Sequence, residues 1–505
     1  MTPSHTAPGV YVEEVPPASR PVEGVATSVT GFVGRALRGP VDRPVPVTSR
    51  VEFERTFGGL WAESGLGYAV RDFFLNGGTS AVVVRVAKDA IAARISLGEM
   101  EIEAHGPGSW ADAMTATVSH PTVDEAAAAA QAQGLPDGES IFTLRLTCRA
   151  ETETFPHVSA APGPRRVDAV LASSNLARVR GEVPTTRPAA GAYGVVGGGH
   201  DGVAPDQGSF VTPDGSGRGI RALDGADLVN VLVLPPVSPS GRLPDSVWAP
   251  ALEYAVRRRA FLIVDPPPGL EPAEVVPWVT GPAGLRGTGA SHAAIYYPRL
   301  EQADPLRAGA VASFAASGSI AGTYARTDAT RGVWKAPAGT SATLTGTLGP
   351  SVVLRDADNG PLNEKGVNVI RSLPGVGTAI WGSRTLRGGV QTGDEYRYVS
   401  VRRLALFIED SLDRGLTWAV FEPNDPALWA RIRSTVSAFL DGLFRQGAFQ
   451  GATAREAYLV KCDAETTSAA DLEAGVINVM VGFAPLKPAE FVVVTLRVRT
   501  VGSTP

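Results

Sequence analysis

The chain has 505 residues, 44% hydrophobic and 19% charged, with a formal net charge of −5, a composition that excludes a disordered linker and predicts about two to four folded domains. Mild acidity gives no footing for a nucleic-acid surface, and Cys148 and Cys462 are no disulfide framework and suit a reducing cytoplasm. With no basic-then-apolar leader and no run of about 18 apolar residues, the expectation is a protein made soluble, without direct membrane insertion, whose exit from the cell needs another route.

In chain order, Val10, Tyr11 and Val12 lie in a β-prone run over residues 9–15, fenced by Pro8 and by Pro16 and Pro17. Residues 27–34 read as a buried strand, 49–57 as a helix with Ser49 as N-cap, 68–76 as a helix stopped by Gly77 and Gly78, and 81–86 as an apolar strand. This β-α-α-β order is an α/β opening. From 89 to 195 the texture changes: 111–119 and 141–150 read as strands around an Ala-rich segment at 125–133, giving an inserted, mainly β unit. The α/β pattern resumes with strands at 228–234 and 261–264.

The last third is the most legible. Residues 398–413 carry an apolar stripe at helical spacing that ends at Gly415, and 418–421 read as a short strand. Asn424, Asp425 and Pro426 then supply a cap and a proline at the first helical position. The helix that follows carries Leu428, Trp429, Ile432, Val436, Phe439, Leu440, Leu443 and Phe444 on one face and stops at Gly447. Residues 458–462 and 476–483 read as strands, so this region owns about three strands for two long helices. Near the end, Phe491, Val492, Val493, Val494 and Leu496 form a further apolar strand beyond Pro485 and Pro488.

The two terminal strands have no partner in their own neighbourhood. A strand leaves its N–H and C=O groups unpaired unless another strand takes them. Either both fold back into the chain's own sheets, or each is donated to the sheet edge of another subunit. A sheet of so few strands is improved by strands from outside, which favours donation.

Chemical motifs are thin. Residues 197–202 satisfy a G-x-G-x-x-G spacing after a short strand, but Pro205 and a glycine-rich stretch follow in place of a helix, so no helix N-terminus holds a pyrophosphate and a plain turn is expected. Residues 356–360 resemble the start of a calcium loop, one residue short before the glycine, and read as a turn. The six histidines show no metal-ligand spacing. No catalytic, cofactor-binding or metal residue is expected, and no enzyme activity. Arg402, Arg403, Arg431, Arg433 and Arg445 lie on the two C-terminal helices, where they are either ordinary solvated faces or a surface for an acidic partner.

Several segments resemble one family. Residues 8–14 (PGVYVEE), 24–29 (GVATSV), 324–337 (YARTDATRGVWKAP) and 421–425 (FEPND), with 366–368, 380–382, 384–386 and 397–399 between them, resemble the tail sheath proteins of contractile phages and phage-like contractile injection systems. The likeness is weakest from 89 to 195, where only 106–110 and 173–176 look familial. It implies a multidomain, mixed α/β fold. The expected parts are an N-terminal donor arm (1–24), a middle α/β domain (25–88 plus 196–345), an inserted outer mainly β domain (89–195), an inner C-terminal α/β domain (346–487) completed by strands from neighbouring subunits, and a C-terminal donor arm (488–505).

The resemblance further implies a structural subunit that polymerises helically around an inner tube and contracts to drive it through a target envelope, on stored assembly energy without nucleotide. Its partners would be itself, the tube protein, and baseplate and terminator or cap proteins; no cofactor or nucleic acid is implied. Assembly would occur in the cytoplasm of the producing bacterium, and the product would be part of a phage tail or injection particle. Val10, Tyr11, Val12, Phe491, Val492, Val493, Val494 and Leu496 would be the donated strands, residues 16–24 a hinge, and Arg431 and Arg433 the tube-facing charges. The alternatives are another helical tail component, a tube or cap protein, and, more distantly, a nucleotide-binding enzyme using the 197–202 loop.

Overall fold

The computed structural model describes residues 21–212, 215–389 and 394–490. Residues 27–330 with 336–399 form one compact unit; 21–26, 331–335 and 400–490 belong to another.

The larger unit is organised by an eight-stranded sheet in the order Gly377–Ile380, Val367–Leu373, Ala293–Tyr297, Phe261–Val264, Val231–Val233, Thr30–Gly34, Ala81–Arg85, Pro44–Val47. The six inner strands run parallel and the two edge strands antiparallel. Thr30–Gly34, Ala81–Arg85, Val231–Val233, Phe261–Val264 and Ala293–Tyr297 are buried at every position, as a parallel sheet covered on both faces requires. That is why they read as unbroken apolar runs.

Chain order reverses between Thr30–Gly34 and Val231–Val233, the topological switch point of a doubly wound sheet. There Gly65, the residue before helix Leu66–Leu75, donates its N–H to the carbonyl of Pro236 at 3.1 Å. A Cβ on Gly65 would stand 2.7 Å from that oxygen. Backbone therefore meets backbone where such sheets otherwise open a crevice.

The predicted helix caps are present. Ser49 accepts from the Glu52 amide ahead of helix Arg50–Phe57, and Gly77, with φ of 106°, follows the helix Leu66–Leu75. The edge strand Pro44–Val47 was not anticipated. Its two prolines cost nothing on an edge, and it pairs antiparallel with Ala81–Arg85.

The inserted region is a seven-stranded, wholly antiparallel sheet: Glu151–Ser159, Ile141–Cys148, Met114–Ser119, Gly191–Gly197, Arg94–Leu97, Met100–Ala104, Ala177–Arg180. Met114–Ser119 alternates buried and exposed residues, so one face packs on a core around Trp110, Phe142 and Leu144. The Ala-rich segment is the helix Val123–Gln133, started by a capping box between Thr122 and Glu125.

One expectation fails here. Residues 356–360 are no turn: they open the helix Asp356–Glu364, because Asp358 caps the amide of Arg355 and the first turn carries two acids against the positive end of the helix dipole. Strands Val367–Leu373 and Gly377–Ile380 belong to the eight-stranded sheet, and the compact units divide at 399 and 400.

Candidate assembly surface

Two of the segments singled out in the sequence, 197–202 and 324–337, occupy structural joints. The Gly197–Gly202 loop stands at the base of the inserted sheet. A Cβ on Gly199 would be 2.0 Å from the Gly108 carbonyl oxygen, and one on Gly202, whose φ is 73°, 2.0 Å from that of Lys88. Asp201 accepts from the amide of Ser109 at 2.9 Å and from its hydroxyl at 2.7 Å, and Arg35 donates to the Asp201 carbonyl at 3.0 Å. Arg85, 2% exposed at the end of its strand, donates to the carbonyls of Gly39 and Pro107, and burial pulls its pKa down to about 10. The glycines allow close approach of backbone.

The 324–337 segment works in the same way. Tyr324 is fully buried and shares a hydroxyl–hydroxyl hydrogen bond with Tyr296. Arg326 donates to the carbonyls of Asn76 at 2.9 Å and Thr343 at 2.6 Å. Gly332, with φ of 84°, lies under Trp334, whose ring would be 2.4 Å from a Cβ there.

The smaller unit contains the parts expected to assemble. Helices Val399–Gly415 and Pro426–Arg445 pack Leu404 and Ile408 against Leu428, Trp429, Ile432, Val436, Leu440 and Leu443. Asp425 caps the second helix by accepting from the Leu428 amide at 2.8 Å, with Pro426 at its first position. Strands Tyr458–Lys461 and Met480–Phe483 pair antiparallel, and among the described residues each is paired only with the other. Their inward residues Tyr458, Val460, Val481 and Phe483 pack on the helices, while Leu459 and Met480 are 57% and 55% exposed on the outer face. Two strands make a sheet of marginal stability by themselves; here it leans on the helices.

Residues 21–25, the end of the expected hinge, are docked. Val22 lies on Gly415, where a Cβ would be 2.7 Å from its Cγ2; Gly24 lies on Phe407, whose Cζ would be 2.8 Å from a Cβ; the Val25 amide donates to Ser411 Oγ at 3.2 Å. The segment and the end of the helix line an open groove of about 620 Å³ with Arg414, Thr417 and Trp418. Residues 22–25 are therefore held against this helix rather than free to act as the expected hinge.

Val10, Tyr11, Val12, Phe491, Val492, Val493, Val494 and Leu496 lie outside the described residues. Arg431 and Arg433 are exposed on the second helix. Arg431 pairs with Glu422 at 2.8 Å and stacks over Trp418 at 5.2 Å, and Arg433 donates to the Cys462 carbonyl at 2.8 Å. The solvated-face expectation fails for Arg402 and Arg403, which are 7% and 3% exposed, because residues 399–406 are buried on every side of their helix. The expected strand at 418–421 is a 3-10 turn over Thr417–Ala419 followed by Phe421 with φ of 67°, a left-handed conformation that no strand continues through. Of the expected strand at 476–483, only Met480–Phe483 forms.

Among the described residues no three His, Cys, Asp or Glu side chains are grouped to hold a metal ion, and no helix is long and apolar enough to cross a membrane.

Comparison with known proteins agrees with this layout. Residues 247–386 match the phage tail sheath protein central domain and 391–499 the phage tail sheath C-terminal domain. The tail sheath protein of Burkholderia phage BcepMu is 25% identical over 467 residues, covering 88% of this chain and 87% of the phage protein. The fold is shared with the contracted helical sheath of the anti-feeding prophage (TM-score 0.59, 23% identity, 98% of this chain and 99% of that one). It is shared also with a Listeria innocua sheath tail protein (TM-score 0.61, 13% identity, 92% and 96%). Both sheath domains match in order and a sheath homologue aligns along most of its length, so this chain carries the central and C-terminal domains of phage tail sheath proteins.

Proposed function

We propose that this chain is the repeating subunit of a contractile sheath, a structural protein without chemistry of its own, that polymerises helically around an inner tube and shortens to drive the tube outward. The observation that carries this reading is the two-stranded sheet of the smaller unit. It is packed on two long helices and too narrow to stand alone, and residues 1–20 and 491–505 are long enough to supply it with strands from neighbouring copies. Contacts of one copy on the next that do not close into a ring generate a helix.

In this reading Val10, Tyr11 and Val12, with Phe491, Val492, Val493, Val494 and Leu496, pair with the sheet edges of adjacent subunits and keep the mesh linked while residues 16–20 swing. The unit from 400 onward is the inner one, Arg431 and Arg433 face the tube, and the inserted sheet faces outward. The subunits assemble in the cytoplasm of the producing bacterium, with tube, baseplate and terminator proteins as partners, into a phage tail or injection particle. The energy of contraction is that stored at assembly, with no nucleotide consumed.

The test is electron microscopy of the full-length protein beside a version lacking residues 1–20 and 489–505. Wide hollow tubes from the intact chain and folded monomers from the trimmed chain support the reading. Compact monomers from both, with a tube protein present, overturn it.

A further inference from the structure

Phe421 is 102% exposed, the most exposed large apolar side chain described, and its φ is 67°. Among the described residues, the other non-glycine positions with positive φ are Asp, Arg, His and Ala. A bulky residue in this region is strained, and such strain persists only where the surroundings over-determine it.

They do so here. Glu422 is paired with Arg431 at 2.8 Å, and Arg431 lies over Trp418. Asn424 accepts from Trp429 Nε1 at 2.8 Å and donates to the Val476 carbonyl at 3.2 Å, while Asp425 is fixed as the helix cap. A loop clamped on both sides thus holds an aromatic ring in water, with the preceding Val420 59% exposed. Rigid aromatic anchors of this kind dominate the energetics of interfaces, because little order is lost on binding.

We propose that Phe421 is the anchor by which the smaller unit docks on a second copy of this chain. The occupant follows from where the N-terminal arm leaves, and so rests on the donated-arm reading. Val25 sits at Ser411 and Val22 at Gly415, so the chain runs toward the end of that helix, and Pro21 lines the groove with Thr417 and Trp418. The arm therefore departs beside the loop that presents Phe421. Pro21 follows Val12 by nine positions, a reach of at most about 30 Å. A copy that receives Val10, Tyr11 and Val12 is held against this loop, and Phe421 meets it.

The experiment measures the critical concentration for polymerisation of the full chain by light scattering and electron microscopy, for F421G, F421S, the exposed-valine control V51S, and a variant lacking residues 1–20. Glycine is at ease at positive φ, so F421G unfolds at the wild-type temperature or above it while its critical concentration rises about tenfold or more. F421S shows the same rise, and V51S assembles as wild type. If F421G assembles normally while the armless variant does not, the anchor is wrong and the arm reading stands. If F421G fails only in tube-templated assembly, the occupant is the tube and the inference is overturned. Normal polymerisation of the armless variant sinks the arm reading and the inference with it.

Discussion

Thr27 Oγ1 donates to Asp328 Oδ2 at 2.7 Å across 301 positions of sequence. The contact joins the 24–29 segment to the helix Ser317–Arg331 and gives a physical reason why two distant stretches share one family likeness. T27V deletes the donor beside a part-buried carboxylate and should cost about 1–2 kcal/mol, while T27S should retain most of it. Urea unfolding of the three proteins reads the difference.

Capping by Asp425 predicts a separate loss. D425A leaves the Leu428 amide without its side-chain acceptor and removes a negative charge from the positive end of a twenty-residue helix. The expected cost is about 1 kcal/mol, recovered in large part by D425S or D425N. Helix content should fall little, because the apolar face remains packed; the denaturation midpoint should fall.

Asp72 predicts an unusual pH dependence. It is 1% exposed, accepts from Gln302 Nε2 at 2.8 Å and from Arg71 Nε at 2.8 Å, and burial raises its pKa above the ordinary 3.8. The folded chain therefore holds this proton more tightly than the unfolded one. The site favours folding most below pH 3.8, and its contribution declines as pH rises through the folded value. Between pH 4 and 8 the stability of D72N relative to the parent should shift in favour of Asn as pH rises. A constant difference would refute the assignment.

Gly202 tests the joint at the base of the inserted sheet. G202A places a methyl group 2.0 Å from the Lys88 carbonyl oxygen at a φ of 73°, and should cost about 2–3 kcal/mol. Limited proteolysis should then cut the 89–195 region earlier than in the parent.

The double reversal R431E/R433E addresses the tube. Both arginines are exposed, but Arg431 pairs with Glu422 and Arg433 donates to the Cys462 carbonyl, so the double reversal should cost about 1–2 kcal/mol of folding stability. Tube-templated assembly should weaken and lose its dependence on salt. Unchanged assembly at every salt concentration would remove these residues from the tube-facing surface.

What could be read from the residues was mostly local. Ser49, Asp425 and Gly447 mark helix ends because a cap acts on its own first or last turn. The buried parallel strands betray themselves as apolar runs because both of their faces are covered. Misreadings fell where the deciding contact is distant in sequence or in competition with a local signal. Asn359, Gly360 and Pro361 suggest a turn, yet the cap between Arg355 and Asp358 wins. The burial of Arg402 and Arg403 depends on what surrounds their helix. The left-handed Phe421 is set by clamps from Arg431, Trp429 and Val476, and the glycines at 199 and 202 owe their necessity to carbonyls about ninety or more residues away in the chain. Of the proposed assembly surface, the short strands Tyr458–Lys461 and Met480–Phe483 were legible as β-prone runs, while the terminal runs lie outside the described residues.

The bond between Gly65 and Pro236 has a mechanical meaning. A doubly wound sheet carries a natural parting line where its winding changes direction, and loops splay to either side of it. Here that line is stitched shut by main chain, with no side chain at position 65 to act as a wedge. The strands from Gly377–Ile380 on one edge to Pro44–Val47 on the other are thereby joined across that line as a single plate, which in the proposed sheath subunit would resist parting along its grain.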